Sequence, residues 1–258
     1  MSQSNYTDNS INTNSSALEH RANLNNKLAQ HNLEEWIFSH CAYQKGIRVL
    51  DIGCGRGKQS LHLAALLEGD VQITALDASN ESLKIVEENA QQLNYKKIIT
   101  KQMNFNDFDI SDEEPYNLIM SAYAIYYAND LVNFICELKK KLAVGGEIFI
   151  CGFGAGTNRE VSTISSKYTS HNMAAHIEDF ISSEQLTLLK EEFSYCELVR
   201  LHNEISFQDL QTFLDWWRNH GSYIKEIDAK VASEVQEIFK NEESFIVSKE
   251  VLGLKLSK

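Results

Sequence analysis

Between Ile47 and Phe153 the chain alternates short apolar runs with stretches of helical spacing, and this alternation restricts its fold more than any other feature. The runs Ile47 to Ile52, Val71 to Leu76, Ile98 to Met103, Tyr116 to Ala122 and Glu147 to Phe153 read as strands bounded by polar or glycine-containing turns. Lys58 to Leu67, Glu81 to Leu93 and Leu131 to Leu142 carry helical periodicity. The Gly145-Gly146 pair supplies a turn capable of left-handed backbone between the last of these helices and the strand after it. Strand, helix and strand in repeated order bury their apolar faces best as a parallel sheet covered on both sides, so the expected class is α/β, doubly wound and mostly parallel.

The flanking regions are less regular. Residues 1–16 are rich in Asn and Ser, and predict a disordered tail because they offer too little apolar surface to offset the entropy of ordering. One domain is expected over 17–258, with N-terminal helices over 17–46 and a cofactor-binding core over 47–153. A polar, irregular substrate-side loop follows over 154–180. Ser182 and Gln185 have the spacing of a capping box and open a helix through Glu192, followed by a strand at Tyr195 to Leu201. Helices at Gln208 to Asn219 and Ser222 to Lys240 form a helical lid inserted over 207–240, before an antiparallel final strand at Phe245 to Leu256.

Composition excludes several function classes. A net charge of −12 repels phosphate backbones, which argues against nucleic acid as a partner. The five cysteines are scattered and form no C-x-x-C pair, so neither a disulfide framework nor a metal site is expected. No stretch approaches the length of a membrane span, and no signal-peptide pattern opens the chain. The expectation is a soluble, cytoplasmic protein with reduced thiols, no membrane partner and an oligomeric state that its sequence leaves open.

The first predicted strand ends in Asp51-Ile52-Gly53-Cys54-Gly55-Arg56-Gly57 and runs directly into a helix, placing glycines where the chain turns tightly and a ligand approaches the backbone. Dinucleotide sites place their third glycine as G-x-G-x-x-G, where this chain has Lys58; the glycine falls one residue earlier. That spacing disfavours a pyrophosphate, and with it a nicotinamide oxidoreductase. Asp77 ends the second strand, where a carboxylate can accept hydrogen bonds from both hydroxyls of a ribose. An ordinary strand-to-helix turn for the glycines and a helix cap for Asp77 are the structural alternatives.

VLDIGCGRGK and TALDAS resemble the first and second motifs of class I methyltransferases that use S-adenosyl-L-methionine, and the resemblance extends with falling specificity from about Trp36 to Phe153. It implies a Rossmann-like fold in which the backbone from Gly53 through Cys54 to Gly55, with Gly57 closing the loop, meets the methionine end of the cofactor. It further implies that Asp51 approaches the cofactor's amino group, Asp77 holds the ribose and Ala78 packs on the adenine. Asn104 stands where relatives often carry Asp, and Phe105 would offer its backbone N–H to the adenine edge. Ser121 begins the fourth-strand motif, and Leu142 to Ile150 resembles the turn into the fifth strand.

Methyl transfer asks the protein chiefly to hold an acceptor atom in line with the donor and away from water. Tyr126 and Tyr127 follow the fourth strand, at the edge where open α/β sheets bind ligands, and are candidate catalytic residues. Relatives often carry His near Tyr126, and a phenol is a poor base at neutral pH, so positioning or aromatic packing suits both tyrosines better than proton abstraction. His171 is a further catalytic candidate, with His176 beside it; Trp216, Trp217 and His220 are read either as an aromatic cover for a substrate or as helix-core packing. The function expected is methylation of an O, N or C atom of a small molecule. The alternatives are a protein or RNA methyltransferase and a non-catalytic regulator that binds the same cofactor.

Overall fold

The computed structural model describes residues 24–25, 27–104, 114–169 and 179–258. Helix α1 (Leu33–Ser39) precedes β1 (Arg48–Ile52), α2 (Lys58–Leu66), β2 (Gln72–Asp77), α3 (Asn80–Gln92), β3 (Ile98–Gln102) and β4 (Tyr116–Ala122). A 3-10 turn, Ile125–Tyr127, leads to α4 (Leu131–Lys140) and β5 (Leu142–Phe153). Then come α5 (Arg159–Ser166), α6 (Ser183–Glu192), β6 (Tyr195–Phe207), α7 (Leu210–Arg218), α8 (Asp228–Asn241) and β7 (Phe245–Ser257).

The strands form one seven-stranded sheet in the order β3-β2-β1-β4-β5-β7-β6. The pairs β1/β2, β1/β4, β2/β3 and β4/β5 are parallel, whereas β7 runs antiparallel to β5. The order reverses between β2-β1 and β1-β4, and such a switch point opens a crevice at the carboxyl ends of the strands. This is the doubly wound, mostly parallel sheet with an antiparallel final strand that the alternation predicts.

Contacts divide the described residues into two compact units, one drawn from those of 33–154, 179–201 and 251–258, the other from those up to 32, from 155 to 169 and from 202 to 250. In the first, alternation along each strand feeds two separate cores, because successive side chains leave opposite faces of a sheet. Val49, Ile73, Leu118 and Phe149 pack with Leu63 and Ala64 of α2 on one face, while Leu50, Ile119, Ile148 and Leu254 pack with Ile135 and Leu138 of α4 on the other. The second unit has its own core of Phe207, Phe213, Trp216, Trp217, Val231, Val235 and Phe245.

The helix starts are chemically specified. Ser79 caps α3, Asp130 caps α4, and Ser182 with Gln185 forms the expected capping box on α6. Other expectations are corrected. Gly145-Gly146 is not the turn between helix and strand, since α4 ends at Lys140 and β5 has already begun at Leu142. Gly145 instead provides positive φ (+75°) where the β4/β5 register is irregular, and a Cβ on Gly146 would meet the Tyr116 carbonyl at 2.8 Å. The expected 154–180 loop contains α5, whose Val161, Ser162, Ile164 and Ser165 are buried. Strand β6 runs on to Phe207, six residues past the expected Leu201. Trp216 and Trp217 are fully buried, so they are core and not a substrate cover; Trp216 donates its indole N–H to Asn25 Oδ1 at 2.8 Å. Among the described residues no helix is long and apolar enough to cross a membrane.

Candidate functional site

Strand β1 is buried through its last four residues and delivers Asp51 to the switch point, where it lies in register with Ala75 of β2 and Met120 of β4. The chain then turns through Gly53, Gly55 and Gly57, with φ of +67°, +53° and +78°. These angles are the left-handed region, which side chains enter only at a cost. A Cβ on Gly57 would lie 2.8 Å from a Val86 methyl of α3, so this glycine is needed for packing as well as for its backbone angle. A Cβ on Gly55 meets nothing within 4 Å. Gly55→Ala is therefore expected to cost only its backbone strain, about 1 kcal/mol, and to lower the melting temperature by roughly 2–4 °C in a chain of this length. A much larger drop in a thermal melt would show that the loop is packed there after all.

The loop is tied to β2 at two levels. Cys54 N–H donates to the Leu76 carbonyl at 2.9 Å, and Gly55 N–H donates to Asp77 Oδ2 at 2.8 Å. The other Asp77 oxygen accepts from Ser79 N–H at 2.8 Å. Asp77 is thus not the cap of α3, a role taken by Ser79, and its half-buried carboxylate instead joins the glycine loop to the next turn. Two backbone donors leave further lone pairs on an ionised carboxylate, so its acceptor capacity is not exhausted.

Asp51 differs. It is 1% exposed and accepts a hydrogen bond from Ser60 Oγ at 2.6 Å. Burial raises its pKa to about 7, against the opposing Ser60 hydrogen bond and with the charge of Asp77 adding to the rise. A carboxylate held this way is ionised most readily when a cation comes beside it. Burial likewise pushes the Cys54 thiol far above its ordinary range, so it is no nucleophile.

The remaining candidates separate by position. Ala78 is exposed next to Asp77, and its carbonyl accepts from Gln102 Nε2 at 3.0 Å. Asn104 is exposed just beyond β3, and Phe105 lies outside the described residues. Ser121 is buried, with its hydroxyl donating to the Ile52 carbonyl at 2.8 Å, so this side chain fastens β4 to β1. Tyr126 and Tyr127 occupy the 3-10 turn with ring centroids 4.9 Å apart, and Tyr126 lies 6.0 Å from the Phe153 ring. His171 and His176 lie outside the described residues; His220 is near Asn158, with Nδ2 and Nε2 3.3 Å apart. Among the described residues no group of three His, Cys, Asp or Glu side chains is arranged to hold a metal.

The structure adds three residues that spacing does not reveal. Ser60 supports Asp51 from α2. Tyr123, just after β4, has φ +58° and a ring edge-on to Phe153 at 4.9 Å. Glu34 of α1 is 4% exposed and pairs with Lys58 at 2.7 Å.

The family model described as "Methyltransferase domain" matches residues 43–226. The chain belongs to the methyltransferase-domain family. The chain is similar to a malonyl-[acyl-carrier protein] O-methyltransferase of Bacillus anthracis, 30% identical over 142 residues that make up 55% of this chain and 50% of the relative. A mitochondrial ubiquinone biosynthesis O-methyltransferase of Dictyostelium discoideum is 29% identical over 115 residues, 41% of this chain and 35% of the relative. This family member thus spans half or less of the length of those two curated relatives. Among solved structures, a phosphoethanolamine N-methyltransferase 2 of Haemonchus contortus, in complex with phosphomonomethylethanolamine and S-adenosylhomocysteine, has the same fold. Its TM-score is 0.59 at 13% identity, over 95% of this methyltransferase-family chain and 57% of the other.

Proposed function

We propose that this chain transfers a methyl group from S-adenosyl-L-methionine to an O, N or C atom of a small-molecule acceptor. The observation that carries this reading is the pair of carboxylates on either side of one glycine loop: Asp51 buried with its pKa raised by that burial, Asp77 held by Gly55 and Ser79 with acceptor capacity to spare. The residues present fit such a cofactor. Asp51 suits its ammonium, the open side of Gly55 its methionine chain, Asp77 a vicinal diol, and exposed Ala78 with Asn104 an adenine. When bound, S-adenosyl-L-methionine supplies a methyl group already activated by its sulfonium.

The protein's task is then to orient the acceptor and exclude water. Tyr126, near Phe153 at the carboxyl edge, and its neighbour Tyr127 serve as positioning groups in this reading. Tyr126→Phe is expected to lower turnover several-fold while leaving cofactor affinity unchanged; equal turnover would return the residue to simple packing. His171 remains a proposed base. The unpaired cysteines, three of them buried, suit a reducing cytoplasm.

Calorimetric titration with S-adenosyl-L-methionine, S-adenosylhomocysteine and NAD tests the donor side, and binding of NAD alone overturns the reading. Incubation with methyl-labelled donor and a cell extract, followed by mass analysis, tests the acceptor side. Label on a small molecule supports the proposal, whereas label on RNA or on a protein side chain overturns it. Label on a carrier-bound acyl group would instead align the chain with the malonyl-[acyl-carrier protein] relatives. Tight cofactor binding with no label transferred would make this a regulator.

A further inference from the structure

Four aromatic rings of the first unit follow one another at the carboxyl ends of β4 and β5. Tyr123 meets Phe153 edge-on at 4.9 Å, Phe153 lies 6.0 Å from Tyr126, and Tyr126 lies 4.9 Å from Tyr127. The group opens to solvent: Tyr127 is 58% and Phe153 41% exposed, while Tyr123 and Tyr126 are half-buried. A single exposed ring is ordinary on a protein surface, whereas contiguous rings mark a place where something binds. These stand at the edge where an open α/β sheet takes its ligands, on β4 beside β1 and on β5 next to it.

The rings stand on backbone that is held in place. Tyr123 N–H donates to the Cys151 carbonyl at 2.8 Å, Tyr127 N–H donates to the Ala124 carbonyl at 3.0 Å, and the Phe153 carbonyl accepts from Phe180 N–H at 3.1 Å. Tyr123 is held there under strain, with φ +58°. The other described residues with positive φ that are not glycine are Glu68 and Asn94, just past the ends of α2 and α3, and Asn158, which caps α5; such angles are common there. Tyr123 has no α-helix end to explain it, and a bulky side chain in the left-handed region is a genuine outlier. Strain of this kind persists where the surroundings over-determine it, often at ligand sites. The Tyr123 hydroxyl makes no hydrogen bond among the described residues, and burial pushes its pKa well above the ordinary phenol value, so it keeps a proton to donate.

A flat ring gains most from such a surface, because it meets tilted rings in offset and edge-to-face contacts that add to the gain from buried area alone. A saturated ring of the same size buries similar area without that addition. A cation is also drawn to ring faces, but an ammonium has no lone pair to accept from Tyr123. We propose that the methyl acceptor is a planar aromatic molecule bearing an oxygen, its ring laid against Phe153, Tyr126 and Tyr127 and its oxygen accepting from the Tyr123 hydroxyl. The proposal rests on the methyl-donor reading above and narrows its acceptor.

The test is an NMR titration of the protein loaded with S-adenosylhomocysteine, using naphthol, its saturated counterpart decalol, the oxygen-free ring naphthalene and the cationic naphthylmethylamine. Naphthol is expected to bind at least tenfold more tightly than decalol and several-fold more tightly than naphthalene, with the amine no tighter than naphthalene. Phe153→Leu combined with Tyr127→Leu, both at exposed side chains, is expected to shrink the preference for naphthol over decalol to within twofold at unchanged S-adenosylhomocysteine affinity. Tyr123→Phe is expected to bring naphthol down to the affinity of naphthalene, and to leave the melting temperature equal or higher because it removes a hydroxyl that the fold does not pair. Decalol binding as tightly as naphthol, the amine binding tightest, a preference that survives the double substitution, or a lower melting temperature in Tyr123→Phe would each overturn the proposal. Failure of S-adenosylhomocysteine itself to bind overturns the donor reading instead.

Discussion

Asp51→Asn is expected to stabilise the protein above pH 7 and to weaken its cofactor binding. The folded-state pKa of Asp51 is raised, to about 7 from 3.8, because burial disfavours its charge. Between these two values the native state keeps a proton that the unfolded chain has released, so stability falls as pH rises from about 4 to about 7. Below that window both states are protonated and the group contributes nothing; above it the penalty is complete, up to about 4 kcal/mol. Asparagine carries no charge to bury and can still accept the Ser60 hydrogen bond. Thermal melts from pH 4 to pH 8 should therefore diverge, with the variant the more stable at the alkaline end. Parallel melting curves across that range would refute the assignment of a buried carboxylate whose pKa is raised by burial. In the parent protein, affinity for S-adenosyl-L-methionine should fall as pH drops below 7, since the proton competes with the ligand's ammonium for Asp51.

Asp77→Ala acts on a different balance. The substitution leaves the Gly55 and Ser79 N–H groups without the acceptor that now joins them, and removes the carboxylate offered to a diol. Lost charge-assisted hydrogen bonds of this kind cost roughly 1.5–3 kcal/mol of binding, or about 10- to 150-fold in affinity. A smaller loss of stability, on the order of 1 kcal/mol, accompanies the loosened loop. Titration calorimetry on a variant shown by circular dichroism to be folded separates the two effects. Unchanged affinity would mean that Asp77 serves the loop alone. Asp77→Asn is an informative companion, because one amide oxygen can hold one of the two backbone donors but not both with full charge.

Much of the fold was legible because its signals are local. The runs from Ile47 to Phe153 alternate with helical periods short enough to read within a window of a dozen residues. Caps at Ser79, Asp130 and Ser182 mark helix starts within three residues of the N–H groups that they satisfy. Gly145-Gly146 misled because two glycines ordinarily mean a turn, whereas here one supplies a bulge and the other allows close approach to the Tyr116 carbonyl from a distant strand. The helix α5 was obscured because its apolar residues, Val161 and Ile164, are few and its buried serines look like loop residues.

By itself, then, the sequence determined the parallel order of the core, the left-handed glycine loop after β1 and the acid that ends β2, since each depends on residues close together along the chain. Tertiary structure decided what those residues do. It buried Asp51 against Ser60, turned the Ser121 hydroxyl onto the Ile52 carbonyl and put Trp216 and Trp217 into a core. It also brought Glu34 to Lys58 across 24 residues and forced Tyr123 into a backbone conformation that its type disfavours. Burial and pairing between distant segments set the charge state and orientation of a side chain, and neither is encoded in its neighbours along the sequence.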